Sequence, residues 1–457
     1  MLFHTWTFVV FFSIVMAVYI PLRRTRWWTL WLLIASYTFY GWWNPLFLIL
    51  IFYTSLLDWF VAGRMSNSKH PGRWLALSIT NDLFLLGFFK YAGFFTENIR
   101  TLFAILHIPL DVPAPNILLP VGISFFTFQA MSYTIDVYFK QVKVEKSLIR
   151  FAAFVSLFPQ LVAGPIERAK ALLPQMRHRP LIRKGDVGDG ISLFLVGLFK
   201  KAVMADFLAI YADRIYGDPA SFGSLELIFA TYAFAWQIYF DFSGYTDMAR
   251  GVARVMGIKL MLNFNNPYTA VDLGDFWRRW HISLSSWFKD YVYIPLGGNK
   301  VVKYKMYWNV IITMVVSGFW HGAAWTYIIW GALHALGRVF TIEIEKSAIY
   351  IKLPKFFKQI LVFHFVCFTW IFFRASSLQD ALLVIKRIFS FIGGVPEVPV
   401  LMFILVGCIW IYQFIFNSTY KKILELRSLR IGTLCIAMLL FLILSSSAGK
   451  QFIYFQF

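Results

Sequence analysis

Charge is what this sequence has least of. Asp, Glu, Lys and Arg supply only 14% of its 457 residues, against about 25% in an average soluble domain, too few to clothe a water-facing surface. Hydrophobic types make up 59% and aromatics 20%, with 50 phenylalanines, which excludes a disordered chain. Acidic residues are scarcest: 23 against 43 Lys and Arg, for a formal net charge of +20. That excess does not indicate nucleic acid, because the basic residues lie in short clusters between apolar runs, the pattern of cytoplasmic loops. Cysteine is nearly missing. Cys367, Cys408 and Cys435 lack CxxC spacing, which excludes a disulfide framework or a metal site by spacing and leaves three buried small hydrophobes. No P-loop, HExxH, GxSxG or GxGxxG stands in a useful context, and no repeat or low-complexity tract interrupts the chain.

What remains is apolar sequence long enough for a bilayer, where a spanning helix needs about 20 residues. Residues 2–22, 27–43, 45–63, 74–89, 117–135, 225–240, 308–337, 359–373, 398–416 and 431–448 fit that description. The run 151–166 is short, and 191–207 is interrupted by Lys200 and Lys201. The reading is an all-α, polytopic transmembrane helical bundle of about eleven to twelve membrane segments, in a single domain with no soluble domain between them. The first run ends at Leu22 before Arg23, Arg24 and Arg26 without a small-residue cleavage site, so no cleavable signal is expected. Basic clusters at 23–26, 64–73 and 140–150 are separated by even numbers of spans, while 96–115 reads as a long loop carrying only Arg100 as a basic residue. Placing those clusters inside puts the N-terminus outside.

Two regions depart from plain spans. The basic stretch 168–184 flanks the short 151–166 run, which reads as a re-entrant segment. Non-helical backbone at that depth must be covered by protein or line a cavity. Residues 267–305 mix Pro, Gly, aromatics and paired basics. They read as a cytoplasm-facing loop of interfacial helices, with Trp277, Trp280 and Trp287 at the headgroup level.

Candidate chemistry rests on a few polar residues. His4, His70, His107 and His178 lie near expected ends or loops and read as structural. His321 stands in SGFWHGAA (317–324), inside a 308–337 stretch without Asp, Glu, Lys or Arg, and an ionisable group at membrane depth is a functional candidate. Gly318 and Gly322 would let a narrow substrate or a neighbouring backbone approach its ring. A helix over that whole stretch would reach about 45 Å, longer than the bilayer core, so a break is expected near Gly318. The competing reading is a helix-packing histidine. His281 stands in FWRRWHISLS (276–285). On one helix Arg278 and His281 would share a face with Trp277 and Ser285, and Arg278 and Arg279 could receive carrier phosphates. The competing reading is an interfacial helix against anionic lipid. In YFDFSGYTDM (239–248), Asp241 and Asp247 could position a histidine or pair with Arg278 or Arg279, a structural ion pair being the simpler role. His334, at helical spacing from Trp330 and Arg338, either supports the site or packs.

Taken together these segments resemble the membrane-bound O-acyltransferase family, in particular its bacterial branch serving O-acetylation of alginate and related polysaccharides. The resemblance runs through ASYTFYGWW (35–43), PVGISF (120–125), FPQLVAGP (158–165), YFDFSGYTDM, NFNNPY (263–268), FWRRWHISLS, GGNK (297–300) and FWHG (319–322). It covers residues 1–374, with the remainder matching only as hydrophobic spans. The resemblance implies a central tunnel joining donor and acceptor sides. It implies catalytic roles for His321 and His281, His321 as general base, and substrate-binding roles for Arg278, Arg279, Trp320, Asp241, Asn299 and His334. It implies acetyl-CoA or another acyl thioester as donor substrate, with no tightly bound cofactor and no metal. The implied partners are a separate extracytoplasmic acetyltransferase protein, a polysaccharide acceptor and the lipid bilayer, with nucleic acid excluded, at a bacterial cytoplasmic membrane. A neighbouring branch, moving D-alanine from a carrier protein to teichoic acid, shares the FWxRWH-like and WHG motifs; the GGNK element favours the acetylating branch. A transporter or flippase would also have many spans with buried histidines, but the repeated halves expected there are not found.

Overall fold

The computed structural model describes residues 1–109, 112–113, 115, 117–162, 164–393, 399–416 and 418–444, and all regular secondary structure among them is helical. The chain divides into two compact units, 1–195 with 245–261 and 196–244 with 262–457. The first contains α1 (Trp6–Leu22), α2 (Trp28–Gly41), α3 (Phe47–Met65), α4 (Pro71–Leu86), α5 (Ala92–Ile105), α6 (Ile123–Tyr138), α7 (Leu148–Ser156), α8 (Phe158–Leu161), α9 (Ala169–Arg177) and most of α10 (Lys184–Phe199). The second contains α11 (Asp206–Gly217), the first part of α12 (Ser224–Val255), α13 (Leu273–Arg279), α14 (Ile282–Phe288), α15 (Lys303–His321), α16 (Trp325–Ile344), α17 (Ala348–Lys352), α18 (Lys355–Arg374), α19 (Leu378–Phe389), α20 (Val400–Phe416) and α21 (Arg427–Leu444).

In the first unit α6 is the central element, buried along almost its whole length from Ile123 to Val137. A phenylalanine cluster of Phe3, Phe8, Phe11, Phe39 and Phe158 packs α1, α2 and α8 together. Polar groups there cluster inside: Ser78 Oγ donates to Asp58 Oδ1 at 2.7 Å and lies 2.9 Å from Thr134 Oγ1. Glu145 binds both Arg150, at 2.6 Å, and Arg177, at 2.9 Å. Buried groups without water must pair in this way.

Large apolar side chains face outward where a soluble protein would carry charge. Trp6, Val10 and Ile14 on α1, Ile49 and Phe52 on α3, and Leu336 and Phe340 on α16 are all exposed. Hydrocarbon is the solvent that suits such faces. Two helices, Phe47–Met65 and Lys355–Arg374, are each long and apolar enough to cross a bilayer, and Trp6–Leu22 and Val400–Phe416 are shorter apolar helices. The expected run 74–89 passes into a π-helical turn, Gly87–Tyr91, and 191–207 passes through another, Lys200–Ala205, into α11.

Several expectations are corrected. The supposed loop 96–115 is helical through Ile105, as the end of α5, because apolar residues line one face of an otherwise polar stretch. The 151–166 run is no single helix; α7 stops at Ser156, Leu157 leaves the helical region, and the short α8 restarts with Pro159 in its first turn, where proline's missing N–H costs nothing. Cys367 is buried, but Cys408 and Cys435 are exposed, because an apolar stretch in such a protein can point outward as well as inward. Residues 398 and 445–448 of two expected spans lie outside the described residues.

The 308–337 stretch is two helices, and its break falls at Gly322–Ala324 rather than Gly318. Gly318 instead lets α15 and α16 touch. A Cβ built there would meet Tyr327 O at 2.3 Å, and one on Gly331 would meet Met314 O at 2.4 Å. A Cβ on Gly322 would collide with the Tyr327 ring at 2.1 Å, so both glycines adjoining His321 are filled by protein. Gly331→Val should therefore force the hairpin apart and cost about 1–3 kcal/mol. Gly63→Ala, where a Cβ meets nothing within 4 Å, should leave the protein as stable or slightly more so. Thermal unfolding of the two variants in detergent checks this; equal melting temperatures would refute the tight crossing.

Candidate active site

The hairpin delivers His321 as the last residue of α15, 3% exposed. Its ring lies 5.0 Å from that of Trp320, 5.1 Å from Trp330 on α16 and 5.4 Å from Phe373 on α18, centroid to centroid. Trp330 in turn lies 4.9 Å from His334, and Trp320 lies 6.2 Å from His281. Three buried histidines are thus strung together by two tryptophans, in the order His281, Trp320, His321, Trp330, His334.

His281 reaches the cluster through a break in the chain. The expected single helix over 276–285 is instead α13 and α14, separated by Trp280 in extended conformation and His281 at φ +43°. The shared face of Arg278 and His281 does not exist: Arg278 is 67% exposed and His281 is fully buried. Arg279 is held by Asp275 at 2.9 Å, and Arg278 faces the same acid at 3.6 Å. Trp280 and Trp287 are corrected too. They are buried in protein, Trp280 against Phe264 at 5.1 Å and Trp370 at 5.1 Å, because the break turns them inward.

The His281 Nδ1 lies 3.2 Å from Asn263 Oδ1. That oxygen also accepts from the Ser283 backbone N–H at 3.2 Å and from Ser283 Oγ at 2.9 Å, which fixes the amide orientation. A carbonyl oxygen can only accept. His281 Nδ1 therefore carries the proton and Nε2 keeps its lone pair. The ring is wedged edge-on against Phe242 at 4.6 Å, and burial pushes its pKa down to about 3, so it stays neutral.

His334 is fully buried, with Nε2 2.9 Å from Thr369 Oγ1. Its Nδ1 and the Trp330 Nε1 have no hydrogen-bond partner among the described residues. Such orphaned groups are rare and costly in a folded protein. One is the indole N–H of Trp330 beside His321, and the other is on the histidine 4.9 Å from that indole.

Asp241 takes its ion pair from another element altogether. It binds Lys201 at 2.6 Å, and Lys201 also binds Asp206 at 2.8 Å; Asp247 pairs with Arg250 at 3.1 Å. The ion-pair reading holds, with a partner that lies 40 residues upstream in the sequence. Asn299 sits exposed on the turn made by Gly297 (φ +108°) and Gly298 (φ +55°), outside the ring cluster; it is Gly298 O, accepting from Asn309 Nδ2 at 3.0 Å, that ties this turn to α15. Sequence reasoning missed Asn263, Phe242 and Phe373, and named Trp330 only as the spacing partner of His334. Asn263 lay within NFNNPY, yet nothing in its spacing pointed to His281.

The family model described as MBOAT, membrane-bound O-acyltransferase family, matches residues 140–379. The chain is 40% identical over 380 residues to the probable alginate O-acetylase AlgI of Pseudomonas aeruginosa, across 81% of this chain and 71% of that protein. It is 37% identical over 395 residues to the peptidoglycan O-acetyltransferase of Helicobacter pylori, across 78% and 73%. It is 33% identical over 234 residues to the teichoic acid D-alanyltransferase of Streptococcus thermophilus, across 48% and 56%.

The neutral, buried His281 has a measurable signature. Its pKa of about 3 lies below the ordinary 6.5, so between those values the unfolded chain takes up a proton that the folded chain refuses. The associated stability is intact above about pH 6.5 and drains away as pH falls toward about 3. His281→Asn should remove part of that acid sensitivity. Melting temperatures from about pH 7.5 to about pH 5 check it, and an unchanged slope in the variant would show that the ring is wet.

Proposed function

The chain belongs to the membrane-bound O-acyltransferase family and is an O-acyltransferase; from that premise we propose that it moves acetyl from a cytoplasmic thioester donor toward O-acetylation of an extracytoplasmic cell-surface polysaccharide. The observation that carries the chemistry is the placement of His321, a nearly dry imidazole between Trp320 and Trp330 with an orphaned indole N–H beside it. Neutral His321 acts as general base. It takes the proton of the acceptor hydroxyl as that oxygen bonds to the thioester carbonyl carbon. Its position at the C-terminal end of α15 places the carbonyl ends of the helix dipoles where positive charge develops. Trp330 Nε1–H donates to the carbonyl oxygen as it gains negative charge. The C–S bond then breaks, and the thiolate leaves with the proton returned from His321. Water, the competing acceptor, is kept out by the surrounding rings.

In this reading His281, held by Asn263, supports the donor end, with the exposed Arg278 meeting the donor's phosphates. The donor is acetyl-CoA or another acyl thioester, and the acetyl passes to a separate extracytoplasmic acetyltransferase protein that modifies the polymer. The enzyme is a single multi-pass domain of about eleven to twelve membrane segments in the bacterial cytoplasmic membrane, N-terminus outside, with a tunnel joining the two sides. Acetyl is favoured over D-alanine because the two O-acetylating relatives match 81% and 78% of the chain, and the D-alanyltransferase 48%.

Membranes given labelled acetyl-CoA should transfer label, and membranes given a D-alanyl carrier protein should not; the reverse would move the chain to the D-alanylating reading, and solute flux without any acylated product would make it a transporter. His321→Ala should lower transfer about 10²–10⁴-fold and Trp330→Phe about 10²–10³-fold, both with wild-type expression and melting behaviour. Full acetylation by the histidine variant would remove the assigned base.

A further inference from the structure

The first unit holds a cavity of about 400 Å³ between the extended segment after α9, the start of α10 and the end of α12. Four cations line it, Arg179, Arg183, Arg254 and Lys259, against two carboxylates, Asp186 and Asp189. Both acids are engaged by the same residue: Arg254 binds Asp186 at 2.8 Å and Asp189 at 3.2 Å. Asp186 also accepts the Arg183 backbone N–H at 3.0 Å. Arg179, Arg183 and Lys259 have no carboxylate within ion-pair distance among the described residues, and the four cations outnumber the two acids, so the cavity keeps a net positive charge.

Its walls are fixed. The Gln175 amide grips the backbone of Lys259 at both ends, Nε2 to Lys259 O and Lys259 N to Oε1, each at 2.9 Å. Gly257, at φ +81°, brings the α12 end against the Leu181 carbonyl, where a Cβ would stand 3.1 Å away. The Arg254 fork ties the same end to α10. Merely solvated basic residues need no such scaffold, and like charges held around one volume repel each other unless an anion is present.

We propose that this cavity is a binding site for a phosphate-bearing ligand, with Arg179, Arg183 and Lys259 as its recognition residues. Two guanidinium forks and an ammonium suit phosphate oxygens, the forks bidentately, and the pairing of Arg254 keeps a fourth cation as a wall rather than a contact. The same chemistry is offered by a nucleotide bisphosphate and by an anionic lipid headgroup. No residue of the cavity belongs to the histidine cluster, so the inference goes beyond the acyl-transfer reading and can fail or stand without it.

The test uses the full-length protein and two probes. Adenosine 3′,5′-bisphosphate is titrated calorimetrically into protein in uncharged detergent. Separately, melting temperature is compared in phosphatidylcholine nanodiscs with and without phosphatidylglycerol. Each lost cation, in Arg179→Gln, Arg183→Gln or Lys259→Gln, should weaken binding about tenfold, or ~1.4 kcal/mol, and added salt should do likewise. K352Q/K355Q, which removes as much charge as R179Q/R183Q from exposed positions elsewhere, should bind as wild type does, and so should His321→Ala. Loss of bisphosphate binding in R179Q/R183Q assigns a soluble nucleotide, and loss of the phosphatidylglycerol effect assigns a lipid. Binding of neither probe by wild type, or equal binding by wild type and R179Q/R183Q, overturns the site.

Discussion

The candidate site depends on one crossing, where the backbones of α15 and α16 meet through Gly318 and Gly331. With no side chain on either, the two helices approach until a Cβ would stand inside hydrogen-bonding distance of a carbonyl. Close backbone approach of this kind is how helices associate where no hydrophobic effect drives them together. It also sets the distance at which the rings projecting from the two helices face one another. His321 lies at the end of one helix, and Trp330 and His334 lie a few residues into the other. Their contacts near 5 Å follow from that spacing.

Around this crossing charge is handled by pairing rather than exclusion. Lys201 lies on the π-helical turn Lys200–Ala205 and is 1% exposed, bonded to both Asp206 and Asp241. A wide turn shifts side chains off the regular 3.6-residue register, and this one lets the ammonium reach an acid on α12 as well as one on its own segment. Breaking such a buried pair leaves an uncompensated charge and is strongly destabilising. Asp241 therefore has a structural role, one residue before the Phe242 ring that holds His281 edge-on.

Scarcity made the histidines legible. In a sequence with so few ionisable groups, His321 stood out inside a stretch without charge, and the helical spacing of Trp330 and His334 survived into the structure. Helical spacing failed wherever the backbone left the helix. The face drawn through Arg278 and His281 assumed continuity across Trp280, and the left-handed residue there carries no sequence signal stronger than the histidine itself. Partners remote in sequence were equally hidden: Lys201 for Asp241, Asn263 for His281 and Thr369 for His334 are pairings that only tertiary packing creates. Apolar length overstated the continuity of helices too, since 308–337 concealed a hairpin and 151–166 a bend ahead of a proline.

The left-handed backbone at His281 narrows what descent can place there. At φ +43° glycine sits without strain, and asparagine, aspartate and histidine itself sit there less comfortably. Glycine would leave a hole between Phe242 and Trp320, and aspartate would bury a charge opposite the Asn263 carbonyl oxygen. A drifting lineage that kept this chain path would thus have asparagine as its neutral polar substitute, its amide N–H₂ taking over the donor role of Nδ1–H toward Asn263.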